Sequence, residues 1–96
     1  RSLLLTAALL SASFASAAAV FTANRFKAAP VLWSQQVLAD GRVDAVILNS
    51  GGANACTGPA GFADTHRTAE HVAALLGVAP IEVAVCSTGL IGERLP

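Results

Sequence analysis

The 96-residue sequence has no methionine and no tyrosine, one tryptophan and four phenylalanines. So few aromatics, with the lone Trp33, argue against a stacking platform for single-stranded nucleic acid. Charge is scarce too. Asp, Glu, Lys and Arg make up 12% of the chain and cancel to a net charge of zero, about half the usual share of charge. No basic patch or Arg/Lys run is present, so the electrostatic footprint of a nucleic-acid partner is missing. The two cysteines, Cys56 and Cys86, make no CxxC and no Cys/His spacing, which argues against zinc. Their small and apolar neighbours suggest two buried free thiols, with one disulfide as the alternative. There is no GxGxxG, no Walker Lys-Ser/Thr and no internal repeat. His66 and His71 stand five apart, not at the i, i+4 spacing of a helical zinc pair, and read as solvent-facing. No Ser/His/Asp or Cys/His constellation can be assembled.

What is abundant is apolar surface: 54% of residues are hydrophobic. A chain of this length is one domain at most and can bury a core only with a modest margin. The surplus suggests part of something larger, with a face meant for more protein. The start adds a complication. Arg1, the run Leu3-Leu4-Leu5-Thr6-Ala7-Ala8-Leu9-Leu10 and then Ala15-Ser16-Ala17 match the charged, apolar and small-residue regions of a secretory signal. From Leu3 to Ala19 four Ser/Thr residues interrupt the apolar stretch, which is rather short for a membrane span. A truncated or misread coding start is an expectation that explains both this run and the absent initiator Met.

Along the chain three runs read as strands: Ala17 to Thr22 continuing to Arg25, Val43 to Leu48, and Ile81 to Cys86. Two helices fall between them. The first spans Pro30 to Ala39, with Pro30 suited to the first turn and Val31, Ser34/Gln35 and Leu38 near one another. Asp40-Gly41 ends it. The second opens at Gly58-Pro59 or at Gly61, and Gly77 closes it, with Pro80 preventing its return. Phe62, Ala63, Ala69, Val72, Ala73 and Leu76 share one face. Asp64, Arg67, Thr68 and His71 share the other, so Asp64 and Glu70 read as solvated charges. The order predicts an α/β fold with layered strand-helix-strand packing.

Two loops can carry chemistry. Ser50-Gly51-Gly52-Ala53-Asn54-Ala55-Cys56-Thr57-Gly58 precedes the second helix, whose N-terminal N–H groups could hold an anion or carboxylate. The competing reading is close packing of a thin turn under a neighbouring element. Ser87-Thr88-Gly89 follows the last strand. A hydroxyl and an adjacent backbone N–H aimed at one point make an oxyanion hole. The competing reading is a strand-ending turn whose hydroxyls cap a following helix.

Three blocks add a resemblance. They are Ala18-Ala19-Val20-Phe21-Thr22-Ala23-Asn24-Arg25-Phe26-Lys27-Ala28-Ala29-Pro30-Val31, then Asn49 to Gly58 with Gly61-Phe62-Ala63-Asp64, then Cys86-Ser87-Thr88-Gly89-Leu90-Ile91-Gly92-Glu93-Arg94-Leu95-Pro96. In this order and spacing they resemble the ornithine acetyltransferase, or ArgJ, family of bifunctional arginine-biosynthesis enzymes. The resemblance covers roughly residues 16 to 96, as the N-terminal part of the family's alpha chain. It sets residues 1 to 15 apart as an atypical apolar start. It implies a glutamate N-acetyltransferase moving an acetyl group from N2-acetyl-L-ornithine to L-glutamate. Acetyl-CoA is a possible second donor, and no bound cofactor or metal is implied. It further implies a cytoplasmic precursor that cuts itself, with no nucleic-acid or membrane partner. The new N-terminal threonine of its beta chain is the nucleophile, and two alpha and two beta chains assemble. That threonine is not Thr88. In the family the Thr and Gly of the Ser-Thr-Gly motif form the oxyanion hole, and they match Thr88 and Gly89. The 96 residues alone are then expected to be inactive. A reading from another class, resting on the start and the cysteines, is a small exported α/β binding or structural domain.

Overall fold

A computed structural model describes residues 8–11 and 18–96. Among these residues the chain forms β1 (Ala8–Ser11), α1 (Ala29–Val37), β2 (Ala45–Gly52), α2 (Gly58–Leu76) and β3 (Val83–Leu90), with 3-10 turns at Leu38–Asp40 and Pro80–Glu82. The three strands make one sheet in the order β1-β2-β3. The β1–β2 pair is antiparallel, Ala8 facing Leu48 and Ser11 facing Ala45. The β2–β3 pair is parallel, from Ala45 opposite Val83 to Gly52 opposite Leu90. A parallel pair needs a long crossover, and α2 supplies it. The architecture is the expected α/β layering.

Alternating side chains put Ala45, Val83 and Val85 into a core with Trp33, Val37, Ala69, Val72 and Ala73. Helix α2 has the expected extent. Its last turn closes at Gly77, where the Val78 N–H donates to the Ala73 carbonyl at 3.0 Å. Helix α1 is rotated from the expected face: Pro30, Trp33, Ser34 and Val37 are buried, whereas Val31, Gln35 and Leu38 are only partly so. The reason is polar as much as apolar. Trp33 Nε1 donates to the Val83 carbonyl at 2.8 Å, and the Ser34 hydroxyl donates to the Val85 carbonyl at 2.7 Å while accepting from the Val85 N–H at 2.9 Å. Thus α1 lies along β3 and satisfies backbone groups that an edge strand would leave open.

Two further expectations need correction. Residues 18–25 form no strand, and residue 17 lies outside the described residues. Local side-chain bonds hold that stretch in turns: the Asn24 N–H donates to Thr22 Oγ1 and the Phe26 N–H to Asn24 Oδ1, in competition with a ladder. The last strand does not stop at Cys86 but runs to Leu90. Residues 8–11 of the signal-like run pair with β2 at the sheet edge, while residues 1–7 and 12–17 of that run lie outside the described residues. Among the described residues no helix is long and apolar enough to cross a membrane.

Candidate functional site

Ser87, Thr88 and Gly89 sit inside the last turn of pairing rather than in a loop beyond it. Thr88 stands opposite Ser50 and Gly89 opposite Gly51. Thr88 and Gly89 are exposed, whereas Val83 to Val85 of the same strand are buried. Helix α1 reaches β3 at Val83 and Val85, so the Thr-Gly pair lies past that cover. Gly89 has a φ of 131°, and a Cβ there would stand 2.6 Å from the Gly51 carbonyl carbon and 2.8 Å from the Gly52 nitrogen. The β2 and β3 backbones therefore approach so closely that only glycine fits. The arrangement places a hydroxyl and a neighbouring peptide on an open strand end at the carboxyl edge of a parallel pair, where ligands of open α/β sheets are received. Beside it, Asn49 Oδ1 and Ser87 Oγ, at facing register positions, are buried without a hydrogen-bond partner among the described residues.

The Gly/Asn loop behaves as a packed knot. Asn54 is fully buried at a φ of 54°. Its Nδ2 donates to the Gly61 carbonyl at 2.7 Å and to Thr65 Oγ1 at 2.8 Å, and its Oδ1 accepts from Thr57 Oγ1 at 2.7 Å. A methyl on Gly61 would overlap the Thr57 side chain and crowd Asn54 Oδ1 at 2.6 Å. Loop backbone also ties elements together. The Asn54 carbonyl accepts from the Ala29 N–H at the start of α1, and the Ala55 carbonyl accepts from the Gly92 N–H at 2.8 Å. With its polar groups bonded internally, the loop matches the close-packing reading better than the anion cradle.

Four residues stand differently from expectation. Asp64, read as solvated, is buried: its side chain is only 9% exposed and receives Arg94 through Nε at 2.8 Å. A second Arg94 nitrogen reaches Asp64 Oδ1 at 2.9 Å, and Arg67 bonds to the same oxygen. The Arg94 guanidinium, with Arg67 adding to it, holds the Asp64 carboxyl below the usual aspartate range, against the opposing effect of burial. One usable signal for this pair is an Arg shortly after the Ser-Thr-Gly motif, but no periodicity links it to Asp64. Ala63, placed on the apolar face, is exposed. Cys56 and Cys86 are both exposed and unpaired, not buried. Cys86 and Thr88 share the face of β3 opposite Val83 and Val85, and Cys56 lies on the surface of the loop at a φ of 57°. Glu70 and both histidines are exposed as expected; the His66 ring lies tilted against Trp33 with centroids 5.0 Å apart, and His66 lies 3.9 Å from Glu70. No group of three metal-ligating side chains forms among the described residues.

Similar proteins place this geometry in context. The ArgJ family model matches residues 5–96, a match that begins inside the apolar start. The arginine biosynthesis bifunctional protein ArgJ of Mycobacterium tuberculosis is 73% identical over 84% of this chain. The chain spans only about a fifth (21%) of that relative's length. The crystal structure of an ornithine acetyltransferase complexed with ornithine, also from Mycobacterium tuberculosis, superposes with a TM-score of 0.91 at 67% identity, over 94% of this chain and 50% of that one. The crystal structure of the arginine biosynthesis bifunctional protein argJ from Bacillus halodurans gives a TM-score of 0.89 at 41% identity, over 94% of this chain and 48% of that one.

Proposed function

Because the chain belongs to the ArgJ family, we propose that it supplies the oxyanion-stabilising half of an acetyltransferase site. The reaction is acetyl transfer from N2-acetyl-L-ornithine to L-glutamate in arginine biosynthesis, with acetyl-CoA as a second possible donor. Residues 16–96 are the N-terminal part of the alpha chain, and the nucleophilic threonine comes from another part of the protein, the beta chain of the same precursor. Two alpha and two beta chains assemble in the cytoplasm, and the site needs no bound cofactor.

The chemistry fits the residues. When a threonine hydroxyl attacks the acetyl carbonyl, the oxygen gains negative charge as the carbon becomes tetrahedral. The nucleophile's proton passes to its own α-amine, which an N-terminal threonine carries beside the hydroxyl. The developing oxyanion needs donors already in place. The Thr88 hydroxyl and the Gly89 N–H are such a pair, one side chain and one backbone. The tetrahedral intermediate then collapses, expels ornithine and leaves acetyl-threonine. Attack by the glutamate amine repeats the same charge development and returns the free threonine. The same two donors serve both halves.

The single observation that carries the reading is the exposed Thr88-Gly89 pair at the open end of β3, where the Gly51–Gly52 backbone admits only glycine at position 89. The test is steady-state acetyl transfer by the whole protein. Thr88→Ala is expected to lower kcat on the order of a hundredfold, the loss typical of one oxyanion donor, with the melting temperature unchanged because Thr88 is exposed. An unchanged kcat removes Thr88 from the mechanism.

A further inference from the structure

We propose that Asp64 is a positioning residue for the Thr88-Gly89 pair, acting through Arg94; the inference rests on the oxyanion-hole reading above. An oxyanion donor is useful only if it is held within about 0.5 Å of its productive place. The question is what holds this strand end, since the side-chain hydrogen bonds from α1 meet β3 at Val83 and Val85.

The answer lies in the segment that follows the strand. After Leu90 the chain turns at Gly92 and returns across the Gly51–Gly52 end of β2. Four ties fix it. The Ala53 N–H donates to the Leu90 carbonyl at 2.8 Å and the Gly92 N–H to the Ala55 carbonyl at 2.8 Å. Leu95 packs on Gly52, its Cδ2 lying 3.0 Å from where a Cβ would stand. The fourth tie, the two-pronged bond from Arg94 to Asp64, joins this segment to α2. A bidentate guanidinium–carboxylate pair fixes orientation as well as distance. With Asp64 largely buried, its carboxylate has little freedom to follow a moving partner.

The strand end is thus anchored from both sides: β2 holds Gly89 by backbone contact, and α2 holds the return segment five residues later by charge. Loss of the second anchor leaves the fold intact but releases the segment that closes over Gly51 and Gly52, the residues against which Gly89 rests. Arg94 is the better residue to change. Its side chain is 54% exposed, and without it Asp64 keeps Arg67, a partner on its own helix.

The experiment is a double-mutant cycle in the whole protein, with kcat, KM for acetylornithine and melting temperature measured for each variant. Arg94→Gln and Asp64→Asn are each expected to lower kcat ten- to a hundredfold, the order that a misplaced catalytic group costs, while KM changes by less than about twofold. Arg94→Lys, which keeps the charge but loses the fork, is expected to recover only part of the loss. The decisive arm is Thr88→Ala. In that background Arg94→Gln should cost less than about twofold, because the donor it positions is gone. An equal loss in both backgrounds would overturn the inference, as would a loss confined to KM or a full rate in Arg94→Gln. If the Arg94 and Asp64 variants keep full rate while Thr88→Ala is slow, the positioning role fails and the oxyanion reading stands. If Thr88→Ala itself is at full rate, the oxyanion reading fails and takes this role with it.

Discussion

At the residue scale, Asp64 and Gly89 show how close neighbours decide what a position can hold. Gly89 matters for what it lacks, since any Cβ would meet the Gly51 and Gly52 backbone at under 3 Å. Asp64 matters because a carboxylate taken out of water is stable only when paired, and Arg94 and Arg67 pair it. The sign of its pH dependence follows. The folded carboxyl ionises below the ordinary value of 3.8, chiefly because Arg94 bonds to it. A group with a lowered folded pKa adds stability that is fully present above the unfolded pKa and is lost as pH falls through the folded one. The stability difference between the parent and Asp64→Asn, read from denaturant unfolding, is therefore expected to be constant around neutral pH and to shrink only below 3.8. A difference that fades between pH 7 and pH 5, by roughly 1 kcal/mol or more, would show that another group carries the effect. None of this was legible from helical periodicity, which put Asp64 on the polar face with Arg67, Thr68 and His71. The partner that draws it inward lies 30 residues away. The role proposed for Thr88 and Gly89 rests instead on the Ser-Thr-Gly motif.

At the element scale, helices and strands were legible to different degrees. Helix α2 carries its own boundaries: Pro59 in the first turn, Gly77 at the end and apolar spacing between them. Strand β3 does not, because its continuation through Ser87, Thr88, Gly89 and Leu90 depends on a partner of matching thinness in Gly51 and Gly52. Composition alone marks both stretches as loop. Helix α1 was found, but its rotation was missed, since Trp33 and Ser34 turn inward to reach β3 backbone groups that a one-dimensional pattern cannot show. That contact yields a prediction. Ser34 both donates to and accepts from Val85 in a buried setting. Ser34→Ala leaves two backbone groups without partners and is expected to cost about 2 kcal/mol or more in unfolding free energy. Amide exchange at Val85 should quicken in the variant while exchange in the middle of α2 follows global stability. A Ser34→Ala protein as stable as the parent would mean that α1 docks through Trp33 and Val37 alone.

At the scale of the whole molecule, low charge and surplus apolar surface acquire a location. The face of the sheet opposite α2 borders a cavity of about 400 Å³, lined by Val20, Phe21, Val31, Val46, Ala84 and Cys86 among others. Val20 is 98% exposed and Phe26 81%. Such surface is uncommon on a self-contained domain and accords with a chain that spans about a fifth (21%) of its relatives. The α/β class was legible because the strand and helix periods differ, and the family was legible because its three blocks keep their order. The proposed site as a whole was not, because Thr88 and Gly89 are set in place by the pairing of β3 with the Gly51–Gly52 end of β2, a contact that no local pattern records. The most direct test of the central claim is single-turnover acetylation of the whole protein by N-acetylornithine, following acetyl-enzyme formation by mass. Thr88→Ala is expected to bind acetylornithine as the parent does but to be acetylated on the order of a hundredfold more slowly. Acetylation of the Thr88→Ala protein at the parental rate would contradict the claim.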